Sequence, residues 1–256
     1  MTEIILLRNG LGACCSEDPR LSGDRHPLFE RHPKNQQISG DPVGSISSPQ
    51  QGIKTVSAEE MLSGMPQKIV VGKDEDVNIV IVVFPQTDCD MKLDVTLAGE
   101  GAEANIYGAY VCGADERVKI AVDMHHDVPH CNSRQLFKGI AGGSSRVDFY
   151  GKIVVAQDAQ KTEAYQENHN ILLSDDAKVD TKPQLEIYAD DVKCSHGATI
   201  GRLNEEEQFY MRSRGISLED AKVLQMISFL APVFEAVPEP DRENIMSQLE
   251  NVIRNV

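Results

Sequence analysis

Apolar residues between about positions 68 and 200 recur in short segments, and no helical period links them. Small turn clusters such as Gly99–Gly101 and Gly142–Gly143 separate these segments. This pattern predicts an all-β region, because extended strands are short and are bounded by turn residues. The predicted segments are Ile69–Val71, Val77–Phe84, Leu93–Leu97, Ala104–Val111, Val118–Met124, Arg134–Ile140, Arg146–Val155, Thr162–Leu173 and Gln184–Val192.

Two all-β architectures fit this spacing. One is an antiparallel sandwich or barrel, and the other is a solenoid that stacks two strands per coil. The hairpin dipeptides Asn-Gly and Asp-Gly are absent from residues 68–200, which weakens the antiparallel alternative. Repeated segments separated by small residues suit a solenoid, in which stacked coils bury a continuous core. The pattern alone leaves both architectures open.

The segments on either side of the β region have different patterns. Residues 9–57 are rich in Gly, Pro, Ser, Asn and Asp, and they predict a long loop or an arm that a partner orders. After residue 203 the apolar spacing becomes helical. We therefore divide the chain into a loop-rich N-terminal segment (1–64), a β core (65–203) and a C-terminal helical subdomain (204–256).

The helical subdomain carries its own start and stop signals. Ser217 is predicted to cap a helix, with Asp220 three residues later. Pro232 lies within the apolar pattern of that helix and is predicted to kink or end it. Asp241 is predicted to cap a last helix with one apolar face.

Composition narrows the location and the partners. A net charge of −15 and a pI near 4.8 disfavour nucleic acid and anionic membranes as partners. No apolar run is long enough for a transmembrane helix, and the acidic N-terminus makes a poor signal peptide. The six cysteines are scattered without a disulfide framework, which is typical of reduced thiols. We expect a cytoplasmic protein.

The strongest candidate for metal chemistry is the pair Cys194 and His196. Alternate residues of a strand point to the same face, so this thiolate and imidazole can converge on one ion, and both suit iron, zinc or copper. In the alternative reading, Cys194 points into the coil interior as a small apolar residue and only His196 faces outward.

Other histidines and cysteines are weaker candidates. His125, His126, His130 and Cys131 could form a metal cluster, but Pro129 favours a turn at this point. His169, in QENHN, could be a ligand, although a ladder of stacked amides is the preferred interpretation of this segment. Nucleotide-binding loops and a nucleophile elbow are absent, so no enzyme activity is predicted.

Two runs, DDVKCSHGATIG and FYMRSRGI, resemble the C-terminal core of the SufB/SufD family of iron–sulfur cluster assembly proteins. The resemblance covers about residues 70–237, and the HGAT run with its following Ile-Gly is similar to the SufD branch. It implies a right-handed parallel β-helix core. The helical N-terminal domain of longer family members is absent here or is replaced by residues 1–60.

The resemblance also implies partners and site residues. It places Cys194 and His196 at a subunit interface, where a transient iron–sulfur cluster forms and none is bound permanently. It implies pairing with a SufB-like subunit or with a second copy of this chain. It also implies docking of an ABC-type ATPase, similar to SufC, on the helix that begins at Ser217 and on Phe209, Tyr210, Arg212, Arg214, Gly215 and Ile216.

Three hypotheses follow. The first is a non-enzymatic scaffold subunit for iron–sulfur cluster assembly. The second is a β-solenoid enzyme acting on polysaccharide, which the lack of tryptophan for sugar stacking disfavours. The third is a purely structural organiser of the ATPase that has no metal role.

Overall fold

The computed structural model of the protein describes the backbone of residues 2–8 and residues 67–84, 88–239 and 241–256. In chain order its strands are β1 (Thr2–Arg8), β2 (Gln67–Val71), β3 (Asp76–Phe84), β4 (Cys89–Leu97), β5 (Glu103–Cys112), β6 (Arg117–His126), β7 (Asn132–Ala141), β8 (Arg146–Val155), β9 (Glu163–Leu172), β10 (Lys178–Ile187) and β11 (Lys193–Gly201). The helices that follow are α1 (Glu205–Ser213), α2 (Leu218–Phe234) and α3 (Asp241–Ile253).

Alternate strands belong to two different sheets, and every pairing is parallel. Sheet A has the order β1–β3–β5–β7–β9–β11, and sheet B has the order β10–β8–β6–β4–β2. The chain therefore crosses from one sheet to the other at each corner, with two strands per coil. Asp76 pairs with Glu103, 27 residues later, and Asn132 pairs with Glu163, 31 residues later. The predicted parallel β-solenoid is confirmed, and the antiparallel sandwich or barrel is wrong.

The space between the two sheets is the main core. Side chains alternate along each strand, so that in β4 Met91, Leu93 and Val95 face inward and are almost fully buried while Asp90 and Lys92 face solvent. The rings of Phe137 and Phe149 meet across the core, with 4.8 Å between their centroids. Each such buried side chain stabilises the fold by about 1.5–3 kcal/mol relative to exposure.

The corners that lead from sheet B to sheet A repeat one backbone conformation. Asp74, Gly101, His130 and Lys161 occupy equivalent places in successive coils, and all have positive φ. The amide N–H of His130 donates to the Gln160 carbonyl of the next coil at 2.9 Å, and Asp74 donates to Glu100 in the same way at 3.0 Å. Hydrogen bonding between coils thus continues around the corners as well as along the strands.

Two glycines let aromatic rings lie along the solenoid axis. Gly139 pairs with Tyr110, and a Cβ added there would lie 1.8 Å from the Tyr110 ring. The ring passes over Gly139 to the following coil, where its hydroxyl donates to Asn170 and accepts from Asn168 Nδ2 at 3.2 Å. Gly108 makes the same kind of space for Phe137, whose ring would lie 2.1 Å from an added Cβ.

The C-terminal helices pack on the outer face of sheet A and form a second core. Apolar residues from α2 and α3, such as Leu230 and Leu249, are buried there against Val82, Val111 and Ile140 of the sheet. Lys138 Nζ lies 4.8 Å from the centre of the Phe229 ring, which adds a cation–π contact. The apolar faces of α2 and α3 are therefore covered by sheet A as well as by each other.

Several local predictions are tested by these elements. Ser217 caps α2, because its Oγ accepts from the Asp220 amide at 3.0 Å, as predicted. The predicted segment Gln184–Val192 is wrong in its bounds, because β10 ends at Ile187 and a turn follows. Pro232 does not end α2, which continues to Phe234. Within segment 1–64, Thr2–Arg8 forms a strand, and the remainder lies outside the described residues.

Candidate functional site

The solenoid ends after β10 and β11, and no further described strand covers them. Among the described strands, β11 pairs with β9 alone and β10 with β8 alone. Pairing aligns Cys194 with Ala164 and His196 with Gln166, and both of these β9 residues face inward and are fully buried. Cys194 and His196 therefore continue two inward-facing rows at the point where the coils stop.

The two side chains differ in exposure. Cys194 is half-buried and packs against the main core, whereas His196 is exposed. Burial raises the pKa of the Cys194 thiol, and a hydrogen bond with the Ala164 backbone opposes this only in part. Cys194 is therefore a thiol at neutral pH and not an activated nucleophile, so a bound metal ion would have to displace its proton.

The rim of this open end combines apolar and charged side chains. Ile187, Tyr188 and Ile200 are large apolar residues that are exposed here. Lys193 Nζ lies 2.7 Å from Glu163 Oε1, which lowers the pKa of the Glu163 carboxyl, mainly through this hydrogen bond. The rim has the mixed character of a surface that contacts another protein.

The structure separates the second group of candidate ligands. His126 is buried inside the solenoid, where its Nε2 lies 2.9 Å from Ser133 Oγ, and burial lowers the pKa of this imidazole to about 4. His130 occupies the corner with positive φ, as Pro129 indicated, while His125 is on the outer side of β6. Within the described ranges no cluster of three potential metal ligands is present.

His169 does not belong to the amide ladder, and that preferred interpretation is wrong for this residue. It faces outward, and its Nδ1 lies 2.8 Å from Thr199 Oγ1 of the neighbouring strand. Its neighbours Gln166, Asn168 and Asn170 face inward instead and form the buried polar contacts. The alternation in QENHN carries this signal, because the three amides share one parity and His169 has the other.

The predicted partner-binding residues lie on α1 and in the turn that follows it. Phe209 and Tyr210 are 72% and 60% exposed, which is unusual for aromatic residues. Leu218 and Leu224 of α2 extend this apolar surface, and the Arg214 guanidinium stacks 5.1 Å from the centre of the Tyr210 ring. We call these five residues the α1 surface.

Gly215 has a structural reason for its place in this motif. Its φ of +89° lets the chain turn after α1, where its amide donates to Arg212 and the Ile216 amide donates to Met211. This is a Schellman end, for which glycine is the preferred residue.

Grooves of about 640 and 800 Å³ lie on the two sides of α1, and the first is bordered by the cationic side chains of Arg212 and Lys222.

Gln166 is the residue of this region that the sequence analysis did not connect with the site. Its Nε2 donates to Gln135 Oε1 at 3.0 Å, so these two amides are stacked in adjacent coils. The QENHN pattern indicated a ladder, but only the strand register shows that His196 follows directly after Gln166.

Fold and site together define a β-solenoid protein whose candidate chemistry lies at an exposed coil end and whose helical subdomain presents an unpaired apolar surface. The sequence model for the SUF system FeS cluster assembly SufBD core domain matches residues 55–229. The chain belongs to the SufBD family.

Individual relatives agree with this assignment. Iron-sulfur cluster assembly protein SufD of Escherichia coli is 53% identical over 114 residues, which is 44% of this chain and 27% of that protein. Protein ABCI7, chloroplastic, of Arabidopsis thaliana is 39% identical over 148 residues, covering 57% and 30%. A SufBD family protein of Mycobacterium leprae is 28% identical over 203 residues, covering 76% and 52%. The chain thus spans between about a quarter and a half of these relatives.

Length and apolar character decide whether a helix can span a membrane, and the described helices lack this combination.

Proposed function

We propose that this chain is a non-enzymatic scaffold subunit of a SUF-type iron–sulfur cluster assembly complex, working in the cytoplasm. The observation that supports the proposal is that Cys194 and His196 lie two residues apart on the inward-facing side of the last strand, where no further described strand covers them. A nascent cluster is the cargo of this site. Two ligands do not fill the coordination of a cluster, so the partner supplies the others.

The partner at the open end is a second β-solenoid subunit, either SufB-like or another copy of this chain. The exposed edge of β11 offers backbone groups for strand pairing, and Ile187, Tyr188 and Ile200 offer apolar area. The relatives whose names state a role in iron–sulfur cluster assembly support the scaffold function.

The cluster site is tested by anaerobic reconstitution with iron and sulfide in the complete complex, followed by visible absorbance. We expect the double substitution Cys194→Ala with His196→Ala to abolish the cluster signal while the complex stays intact. Ser195→Ala is the matched control, because Ser195 lies between the two residues on the outer side of the strand. An intact complex that assembles clusters at the unmodified rate after the double substitution would support the purely structural organiser.

The second part of the proposal is that an ABC-type ATPase docks on the α1 surface. Exposed Phe209 and Tyr210, together with the cationic Arg212 and Arg214, offer apolar anchors and charge at one place. Deleting residues 209–256 is a poor test, because α2 and α3 cover apolar residues of sheet A.

A point substitution tests the docking more cleanly. Phe209→Glu is expected to abolish co-purification of the ATPase and to leave thermal stability unchanged. Val70→Glu is the control, because Val70 is 67% exposed, close to the 72% of Phe209, but lies on β2, far from the helices in the strand order. Undiminished ATPase recovery with Phe209→Glu would place the docking surface elsewhere.

A further inference from the structure

We propose that Gln166 is a positioning residue for His196: its side-chain oxygen accepts a hydrogen bond from one imidazole N–H, which fixes the ring and leaves the other nitrogen free for a ligand. The hydrogen bond itself is argued from geometry alone. Its importance for cluster assembly rests on the function proposed above.

The first observation is the register. Gln135 of β7, Gln166 of β9 and His196 of β11 follow one another in a single inward-facing row. Neighbouring strands of a sheet lie about 4.8 Å apart, so side chains that share a row can form hydrogen bonds between coils. Gln135 and Gln166 already do so at 3.0 Å.

The second observation is an unused acceptor. Gln166 Oε1 is buried and accepts no hydrogen bond from any part of the chain that the structure describes, His196 included, so the proposed bond forms when the exposed imidazole turns towards the interior. A buried acceptor without a partner loses its hydrogen bonds to water and gains none in return, so such atoms are rare in folded proteins.

The orientation of the amide selects the partner. Its nitrogen donates back to Gln135 of the preceding coil, and because the two arms of a primary amide diverge, we infer that the oxygen is available to the last coil. The β11 residue in register there is His196, whose imidazole carries at least one N–H in either tautomer.

The opposite sheet holds the amide in place. Gly151 of β8 faces Gln166, and a Cβ added to this glycine would lie 2.0 Å from Gln166 Nε2. The Gln166 side chain thus reaches across the interior to a position where only glycine leaves room. The close approach to Gly151 limits movement of the amide group, and its hydrogen bond to Gln135 selects the orientation of its nitrogen.

The consequence for His196 is a defined tautomer and a defined ring plane. Ligating histidines commonly use their second N–H to bond an acceptor, which orients the ring and raises the basicity of the ligating nitrogen. His196 is exposed, so without this bond its ring would rotate freely among rotamers.

Nitrogen-15 NMR of the iron-free full chain tests the bond directly. The His196 signals are assigned by their loss in His196→Gln. In the unmodified chain we expect an imidazole N–H whose exchange with water is slowed about fivefold relative to Gln166→Met, as a hydrogen bond of about 1 kcal/mol implies. Unchanged tautomer ratio and exchange in Gln166→Met would overturn the proposal. So would free exchange in the unmodified chain, a result that needs no variant to fold.

Two further variants separate positioning from general damage. Gln166→Glu keeps an acceptor for His196 and can accept from Gln135 Nε2, which has no partner among the described residues, so it should restore the slowed exchange. Thr199→Ala removes an outward contact of the same strand and should leave the His196 signals unchanged. Loss of the protected N–H in Thr199→Ala, or no recovery in Gln166→Glu, would contradict the positioning role.

Iron–sulfide reconstitution of the complex then tests the consequence. Gln166→Met is expected to slow cluster formation by about tenfold and Gln166→Glu to restore it. An unmodified complex that forms no cluster would refute the proposed function and leave the NMR result standing. An unaltered rate in Gln166→Met would show that the orientation of His196 does not matter for assembly.

Discussion

The middle coils and the last coil use the same inward-facing rows for opposite purposes. Two rows show this: Ala104, Ser133, Ala164 and Cys194 form the first, and Ile106, Gln135, Gln166 and His196 form the second. The first three members of each row are buried, and the fourth is half-buried or exposed. An equivalent position in a repeating fold is thus core or candidate site according to whether another coil follows it.

This difference has a physical basis in how each coil is covered. A middle coil has neighbours on both sides, so its inward side chains are desolvated and must fit closely. The last coil has one neighbour, so polar or reactive side chains there keep their contact with water or with a partner.

A matched pair of glycines gives the largest contrast. Gly139→Ala would bring a Cβ to 1.8 Å from the buried Tyr110 ring, whereas Gly197→Ala in β11 meets nothing within 4 Å. We expect Gly139→Ala to lower the free energy of unfolding by about 3 kcal/mol or more and Gly197→Ala to change it by less than about 0.5 kcal/mol. Urea denaturation measures both. Equal losses would show that the last coil is as tightly packed as the middle ones.

Acid should unfold the chain through a middle-coil histidine. Burial lowers the pKa of His126 to about 4 from an ordinary value of 6.5. The folded state therefore binds fewer protons than the unfolded state, and the stabilisation that is present above pH 6.5 is lost as pH falls to 4. The loss is about 3 kcal/mol. His126→Gln should flatten this part of the pH–stability curve, and a curve as steep as that of the unmodified chain would contradict this assignment.

The interior can also be disturbed so that the effect appears at the open end. Gly151→Ala would place a Cβ 2.0 Å from Gln166 Nε2 and force the amide to move. We expect a loss of about 1–2 kcal/mol in the free energy of unfolding and the same change of the His196 imidazole signals as in Gln166→Met. Altered stability with unchanged His196 signals would show that displacement of the Gln166 amide does not affect the His196 ring.

The smallest effect is expected on the outer face of sheet B. Lys152 Nζ and Glu186 Oε1, which lie 2.8 Å apart, link β8 to the terminal strand β10. Because ion pairs at the protein surface contribute little, Glu186→Gln should lower the free energy of unfolding by about 0.5 kcal/mol at most, and less at high salt. A loss above 1.5 kcal/mol would mean that the last coil depends on this pair for its attachment.

Much of the fold could be predicted because the alternation of apolar and polar residues is local. This alternation predicts the strands, and the absence of hairpin dipeptides favours stacked coils over hairpins. The packing of the helices on sheet A was missed, although β3 reads VNIVIVVF, an almost continuous apolar run typical of a strand that is buried on both faces.

The site was harder to predict because it depends on register. Sequence spacing put Cys194 and His196 on one face, but only the pairing with Ala164 and Gln166 shows that this face continues the interior rows. His169 was assigned to the wrong face although its parity in QENHN, opposite to that of the three amides, is readable from the sequence.

The two exposed edges of the last coil are chemically unequal. β10 contains Pro183, which has no N–H to donate, together with Lys178 and Lys182. β11 contains no proline, its one lysine is Lys193 at the first position, and two of its residues are glycines. Proline and lysine are common devices against the uncontrolled addition of strands. When the chain is concentrated without a partner, self-association through the last coil should therefore start at β11 and spare β10, so that the edge beside Cys194 and His196 is also an aggregation hazard.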